Sequence, residues 1–325
     1  MNMIFNYFKN SINYLINFAQ NYFSNNEIIN SFSEEESLSQ FSPEIKVLEI
    51  EYSEKNKKLM NIFRYILNTK EISLRVFNLT TEIINISPWT YEIWVVRRKC
   101  LSDLKELNIN NEIDFVNFII ISYPKIYQIW HHRRLLIDKL NDCSHEKNII
   151  QKILDEDSKN FHCWSHRIWM IRRFNNIEGE FEFIEKMLEN DIKNNSVWNY
   201  RFFLVEYING KNMNKNIIKN EIKYAFNKMI ICPLNESPFN YILGYINKYK
   251  LKYIEIKNEI KVIKIKCDEE KEDINKYIFF LRILLEYYEE DKNISKFNDT
   301  IEKLIKIDFI RKKYYLWKKK NFNHS

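Results

Sequence analysis

The chain has 325 residues, only three of them glycine, and a formal net charge of +6. Dinucleotide- and phosphate-binding loops need glycine where the backbone turns sharply or approaches a ligand, so this composition argues against Rossmann and P-loop enzymes. The positive excess is spread along the chain without the dense basic blocks of a nucleic-acid-binding arm. The five cysteines include no C-x-x-C pair and indicate reduced thiols, not disulfides or a zinc site.

Residues 1–23 are largely apolar, but asparagines and a lysine interrupt them. They therefore lack the apolar core of a signal peptide and the ~20 residues of a membrane span. We interpret them as a partly helical extension outside the core, with a membrane-surface or organelle-directing helix as the alternative. Acidic and polar residues follow, as in a linker. Residues 1–45 are thus predicted to be an extension and linker, partly disordered, before one repeat domain at 46–325.

Residues 59–87 carry apolar residues at helical spacing in two stretches, which predicts a helix pair. Four segments that align without gaps then follow: "YEIWVVRRKCL", "YQIWHHRRLLI", "FHCWSHRIWMI" and "NSVWNYRFFLV". Their tryptophans recur every ~34 residues, the length of a helical hairpin repeat. A fifth copy, "NESPFNYILGYI", places Phe239 at the tryptophan position after a longer gap.

A second helix is predicted between successive tryptophans, as in "EKNIIQKILDED" and "EFEFIEKMLEND", where apolar residues recur at i, i+3, i+4 and i+7. Neither helix of a pair buries its apolar stripe alone, so neighbouring pairs are expected to stack. Three further helical patterns, roughly 249–266, 274–290 and 297–318, are predicted to cover the end of the array. The predicted fold class is all-α, a right-handed α-solenoid of helical hairpin repeats.

The recurring tryptophans and arginines are interpreted as structural anchors of the repeat. Burying a tryptophan removes ~150–250 Å² from water, which stabilises by up to roughly 4–6 kcal/mol. Each arginine follows its tryptophan by three residues, one helical turn on, where a guanidinium is able to pair across repeats. The predicted anchors are Trp94, Trp130, Trp164, Trp198, Arg97, Arg133, Arg167 and Arg201. Adjacent His131 and His132 diverge by ~100° on a helix, which argues against a metal site there.

The residues before each tryptophan lie at predicted helix starts and form columns in a stack of repeats. The column five residues before the tryptophan contains Trp89, Lys125, Lys159 and Lys193. Lysine opposes the helix dipole at a helix start, so these lysines are either solvated or serve an anionic ligand or acidic partner. The sequence shows no complete catalytic grouping, so an enzyme built on this chain takes its main chemistry from another subunit or cofactor.

These motifs resemble the α subunit shared by protein farnesyltransferase and type I geranylgeranyltransferase. The resemblance covers roughly residues 50–318 and rests on "PKIYQIWHHRR", "KNFHCWSHR", "NNSVWNYR", "NESPFNY" and the closing "DFIRKKYYLWKK". It implies a crescent of hairpins around a β subunit that holds zinc and the prenyl pocket. The implied reaction transfers a farnesyl or geranylgeranyl group from its diphosphate to a C-terminal CaaX cysteine, with zinc providing the thiolate.

The resemblance also implies roles for individual residues. Lys125 matches the lysine that contacts the diphosphate and is the predicted catalytic residue, and Gln128 matches the glutamine that receives the CaaX carboxylate. Further predicted substrate-binding residues on the same rim are Tyr91, Tyr127, Phe161 and His162. Phe161 replaces a usual tyrosine, so a hydroxyl contact is absent there. The chain itself is predicted to bind no metal, and the assembled enzyme decides whether magnesium is needed.

Two alternatives stay open. One is the α subunit of Rab geranylgeranyltransferase, which shares the Trp-x-x-Arg element, and the other is a non-catalytic scaffold similar to a tetratricopeptide array. The expected partners are a β subunit in an obligate heterodimer, a prenyl diphosphate, and CaaX-box proteins such as small GTPases. Neither nucleic acid nor integral membrane insertion is expected, and the expected location is the cytoplasm. The sequence does not distinguish farnesyl from geranylgeranyl transfer.

Overall fold

A computed structural model of the chain describes residues 27–37, 52–269 and 277–322. Over these residues the secondary structure is helical without strands, and the predicted all-α helical-repeat class is confirmed. The helices are α1 (Glu27–Asn30), α2 (Glu34–Ser37), α3 (Glu54–Thr69), α4 (Leu74–Ile86), α5 (Tyr91–Asp103), α6 (Ile109–Ser122), α7 (Tyr127–Leu140), α8 (Glu146–Glu156), α9 (Phe161–Phe174), α10 (Glu180–Asn190), α11 (Asn195–Asn209), α12 (Lys215–Ile231), α13 (Glu236–Tyr249), α14 (Lys257–Glu269), α15 (Ile278–Glu290), α16 (Ile294–Ile307) and α17 (Lys312–Phe322). Short 3₁₀ turns lie at Gly210–Asn212, Tyr253–Ile256 and Phe309–Arg311.

The chain divides into two compact units, residues 1–175 and 176–325. In the first unit the tryptophan helices α5, α7 and α9 pack in succession, and α6 and α8 pack beside α7 and α9. In the second unit α11 packs against α10 and α13, while α15, α16 and α17 pack in order. The single domain predicted at 46–325 stays a prediction.

Each repeat tryptophan closes the loop that leads into its own helix. All four indoles are buried. In every case the indole N–H donates to the main-chain carbonyl six residues earlier. The pairs are Trp94 to Pro88 (2.7 Å), Trp130 to Pro124 (2.8 Å), Trp164 to Ser158 (3.0 Å) and Trp198 to Ile192 (2.9 Å). This bond fixes the loop residues that precede each tryptophan helix, where the candidate site lies.

The segment predicted to be a linker packs against the first unit in its described part, Glu27–Ser37. Phe32 is only 7% exposed, and the Arg75 guanidinium lies 4.4 Å from its ring centre. Arg75 also donates to the Ser31 carbonyl at 3.0 Å and to Glu36 at 3.0 Å. One aromatic side chain and one arginine therefore hold a polar segment that composition alone marks as a linker. The extension predicted at the start of the chain lies outside the described residues.

The third C-terminal pattern, predicted as one helix over about 297–318, is two helices. Asp308 ends α16, because its carboxylate accepts hydrogen bonds from Arg311 (3.1 Å) and from the Tyr315 hydroxyl (2.7 Å). These bonds stabilise the 3₁₀ turn that redirects the chain into α17. Over the described ranges, no helix combines the length and apolar character needed to cross a bilayer.

Candidate functional site

Predicted site residues occupy the loops and first helical turns at the start of α5, α7 and α9. Tyr91, Tyr127 and Phe161 are the first residues of these helices, and all three side chains are exposed. Lys125 precedes α7, and its side chain is 74% exposed. Its ammonium Nζ lies 3.1 Å from Oδ2 of Asp157, which belongs to the loop before α9. The candidate catalytic amine is thus accessible and oriented by the next repeat.

Aromatic side chains form a cluster at the starts of α7 and α9, the helices that follow Lys125 and Asp157. The ring of Tyr127 stacks on His131 with centroids 6.1 Å apart, and it lies 6.4 Å from the ring of His162. Phe161 meets His162 edge-on at 5.6 Å. The structure therefore brings Tyr127, Phe161 and His162 into one cluster, as the sequence predicts, and adds His131 to it.

At three of the tryptophan positions, the side chain two residues earlier binds the loop of the preceding repeat. Gln128 Nε2 donates to the Trp89 carbonyl at 3.1 Å, and the ring of His162 is hydrogen-bonded to the main chain of Lys125. In the second unit, Ser237 Oγ repeats this contact with the Lys193 carbonyl at 3.4 Å. Gln128 retains a second amide N–H for a ligand. Residues predicted only as ligand contacts therefore also join neighbouring repeats.

Positive charge without acidic partners lies on the same face. Arg98 and Arg134 are half-buried, and burial lowers the pKa of both guanidinium groups. Arg134 donates to Ser165 Oγ at 2.9 Å, and among the described residues neither arginine forms an ion pair. Burial, together with Arg134, lowers the pKa of His162, so its imidazole is neutral at pH 7. The cluster has the charge expected of a site for an anionic group.

A buried ladder of glutamates, which sequence reasoning missed, lies behind this face. Arg97 donates to Glu112 through two bonds of 2.6 Å, and Arg133 donates to Glu146 at 2.6 and 2.9 Å. All four side chains are at most 2% exposed. In the second unit Arg201 pairs with Glu221 at 2.8 and 3.0 Å. Each arginine thus has a bidentate carboxylate partner on a following helix.

The following repeat adds a second donor to each glutamate. His132 Nε2 lies 2.7 Å from Glu112, and His166 Nε2 lies 2.6 Å from Glu146. In the second unit the donors are tyrosines, with Tyr200 on Glu180 and Tyr241 on Glu221, each at 2.6 Å. The sequence separation between donor and glutamate is the same in all four pairs. The vicinal histidines therefore point to different surroundings, because His132 is buried on a carboxylate while His131 lies in the exposed cluster.

The signal for this ladder is present in the sequence. Glu112, Glu146, Glu180 and Glu221 recur at the same intervals as the last four tryptophan positions, which are Trp130, Trp164, Trp198 and Phe239. The separation between each glutamate and the following tryptophan position is constant, whereas the separation from the preceding tryptophan varies. An alignment on the following tryptophan therefore reveals the four glutamates. Over the described chain no cluster of three His, Cys, Asp or Glu residues is suited to a metal ion.

Comparison with known proteins identifies the family. A family model described as "Protein prenyltransferase alpha subunit repeat" matches residues 109–140, 143–174 and 177–208. The chain is 36% identical over 281 residues to the farnesyltransferase/geranylgeranyltransferase type-1 α subunit of Dictyostelium discoideum, covering 82% of this chain and 84% of that protein. The chain belongs to the protein prenyltransferase α-subunit family. As a member, it is a subunit of a prenyltransferase.

A solved structure supports the same branch of the family. It is described as Candida albicans protein geranylgeranyltransferase-I complexed with GGPP, and it matches with a TM-score of 0.75 and 28% identity over 88% of this chain and 96% of that one. The type-2 α subunit of Candida albicans is 31% identical, but only over 97 residues, about a quarter of each protein. The extended matches therefore favour the type-1 α subunit over the Rab-type alternative.

The matched repeats contain most of the candidate site. Lys125, Tyr127 and Gln128 fall in the first matched repeat, and Phe161 and His162 fall in the second. Tyr91 lies outside all three. It belongs to the copy around Trp94, where Trp89 stands in place of the lysine found in the next three copies.

Proposed function

We propose that this chain is the α subunit of a heterodimeric protein prenyltransferase that modifies the cysteine of C-terminal CaaX sequences in the cytoplasm. The transferred group is farnesyl or geranylgeranyl, and the β subunit carries the zinc and the prenyl pocket. The observation that carries the proposal is the exposed Lys125 ammonium, held at a rim of unpaired positive charge in a chain of this family. Zinc in the β subunit supplies the thiolate nucleophile.

The residues of this chain contact both substrates, the prenyl diphosphate and the CaaX peptide. Lys125 neutralises negative charge that builds on the departing diphosphate, which stabilises the transition state more than the ground state. Asp157 holds the ammonium until the diphosphate competes for it. The remaining amide N–H of Gln128 donates to the carboxylate of the CaaX peptide. Tyr127 and His162, whose rings are in contact, hold the Lys125 ammonium and the Gln128 amide in fixed positions relative to each other.

Replacing Lys125 tests the proposal directly. Lys125→Ala should lower the single-turnover rate of the heterodimer by about 10²–10³-fold, because one preorganised cationic donor is lost. Peptide affinity should change little, because Gln128 is intact. Rapid-quench transfer of radiolabelled prenyl diphosphate to a CaaX peptide measures the rate.

Lys159→Ala is the matched control. Lys159 is the exposed lysine at the same position one repeat later. Its removal should leave the rate within about threefold of the parent, since it is not assigned to the diphosphate. Equal losses in both variants, or a normal rate in Lys125→Ala, would remove Lys125 from the reaction.

Co-purification separates the alternatives. A zinc-bearing β subunit and transfer to a CaaX peptide support this proposal, whereas a Rab protein with its escort protein would support the type-2 enzyme. Association with neither would contradict the proposal.

A further inference from the structure

The C-terminal end of the chain exposes many large apolar side chains. They lie in the 3₁₀ turn and in α17, and they are Phe309, Ile310, Tyr314, Leu316 and Trp317. Ile310 is 79% exposed and Trp317 is 61% exposed. We call these five residues, with Lys312, Lys313 and Lys320 beside them, the C-terminal aromatic surface. Single exposed apolar side chains are common, but several grouped on one short segment mark a site of interaction.

The lysines on this surface have no acidic partner among the described residues. Lys312, Lys313 and Lys320 are exposed, and residues 309–322 include no Asp or Glu. Lys313 precedes Trp317 by four residues and Lys320 follows it by three, so helical spacing puts all three on one side. In contrast, Lys318 points inward and pairs with Glu286 at 3.1 Å. Cationic and aromatic groups therefore alternate over the outward side of α17.

The inward side holds this surface in place. The Tyr315 hydroxyl donates to Asp308 at 2.7 Å, and the ring of Phe322 lies 4.0 Å from that of Phe297 on α16. A packed helix therefore carries most of the exposed residues, so a ligand binds them without coupled folding of the helix.

The combination of lysine and aromatic side chains on this surface indicates what binds there. Lysine is depleted at the core of protein–protein interfaces. Trp and Tyr beside lysines are characteristic of the boundary between water and lipid, where rings enter the headgroup layer and ammonium groups contact anionic lipids. We propose that the C-terminal aromatic surface binds an anionic membrane surface peripherally. An 11-residue helix is far too short to cross a bilayer, so it lies in the interface.

Vesicle sedimentation tests this inference with the full chain in complex with its β subunit. The complex should sediment with phosphatidylcholine vesicles containing about 30% phosphatidylserine, but not with pure phosphatidylcholine, and less in high salt. Each lysine contributes roughly fivefold to the partition coefficient. Lys312→Glu with Lys313→Glu should therefore lower it at least about tenfold, and Trp317→Ala should lower it several-fold.

The control is Lys105→Glu with Lys139→Glu. These exposed lysines of the first unit give the same change in net charge, and the variant should sediment like the parent. All variants should prenylate a soluble peptide at the rate of the parent. This assay therefore tests the proposed enzyme activity independently of membrane binding. No binding to anionic vesicles, or surface variants that sediment like the parent, would overturn the inference. Loss of β-subunit assembly in the surface variants would instead make this a protein interface.

Discussion

At the scale of single residues, the Glu146 carboxylate in the first unit joins two buried side chains from two helices. The carboxylate accepts two bonds from Arg133 and one from His166, all from groups at most 1% exposed. These partners lower its pKa to about 2 despite burial. A charge in this position is tolerated only because every neighbour compensates for it.

Removing the carboxylate should therefore be costly. Glu146→Ala leaves the Arg133 guanidinium buried without its counter-charge, and we expect the free energy of unfolding to fall by about 3–5 kcal/mol. Urea unfolding followed by circular dichroism measures it. Glu156→Ala, at the exposed end of the same helix, should stay within about 0.5 kcal/mol of the parent. If both variants unfold at the same urea concentration, Glu146 is not a structural centre.

At the scale of helices, the donor to the glutamate ladder changes from histidine in the first unit to tyrosine in the second. Burial lowers the pKa of His132 and His166, although their hydrogen bonds to glutamate act in the opposite direction. Both imidazoles are neutral in the folded chain at pH 7. Tyr200 and Tyr241 make the equivalent bond, and burial raises the pKa of Tyr241 well above its usual value.

This difference predicts acid sensitivity. Below the ordinary histidine pKa of about 6.5, the unfolded chain binds protons that the folded chain excludes, so stability falls as the pH decreases. His166→Tyr, which copies Tyr200, should reduce the loss of stability between pH 7.5 and 5. Glu112 and Glu146, whose pKa values are lowered in the folded chain, add their own loss only below about 4.5, so the two pH windows are separable. Thermal unfolding across this pH range measures the slope.

Exposed His145 offers the matched control, because it directly precedes Glu146, the partner of His166, but its own side chain is exposed. His145→Tyr should leave the pH dependence of the melting temperature as it is in the parent. A His166→Tyr variant that keeps the full acid sensitivity would show that the buried imidazole does not cause it.

At the scale of the whole molecule, the described N-terminal segment belongs to the first unit's packing. Arg75 joins it to α4, and through Glu71 to the loop before α4. We expect Arg75→Ala to release the segment, so that chymotrypsin cleaves at Phe32 several-fold faster, because cleavage follows the population of the open form. Arg64→Ala, at an exposed position on α3 bonded to Asn61, should not change the rate. Unchanged cleavage in Arg75→Ala would mean that Arg75 does not hold the segment in place.

Periodicity predicted the hairpins, their tryptophans and the helix starts that carry the candidate site, because apolar spacing and repeat length are local properties of the sequence. It did not predict the packing of Phe32, which depends on the distant Arg75. Nor did it predict the break at Asp308, which depends on the bonds that this one carboxylate accepts from Arg311 and Tyr315. The ion pair between Lys125 and Asp157 was also beyond sequence reasoning, because it joins two repeats. The roles of the rim residues came from family resemblance, and they stay predictions.

The hydrogen bond from each repeat indole to the loop before it allows the side chains of that loop to vary between repeats. The acceptor is a main-chain carbonyl, so the loop keeps its path whichever side chain it displays. Trp89, Lys125, Lys159 and Lys193 occupy one position of that loop with different chemistry. Substitutions at this rim position therefore change the functional group with little effect on folding. Because the repeat is duplicated, one copy is able to acquire a new side chain while the others keep theirs.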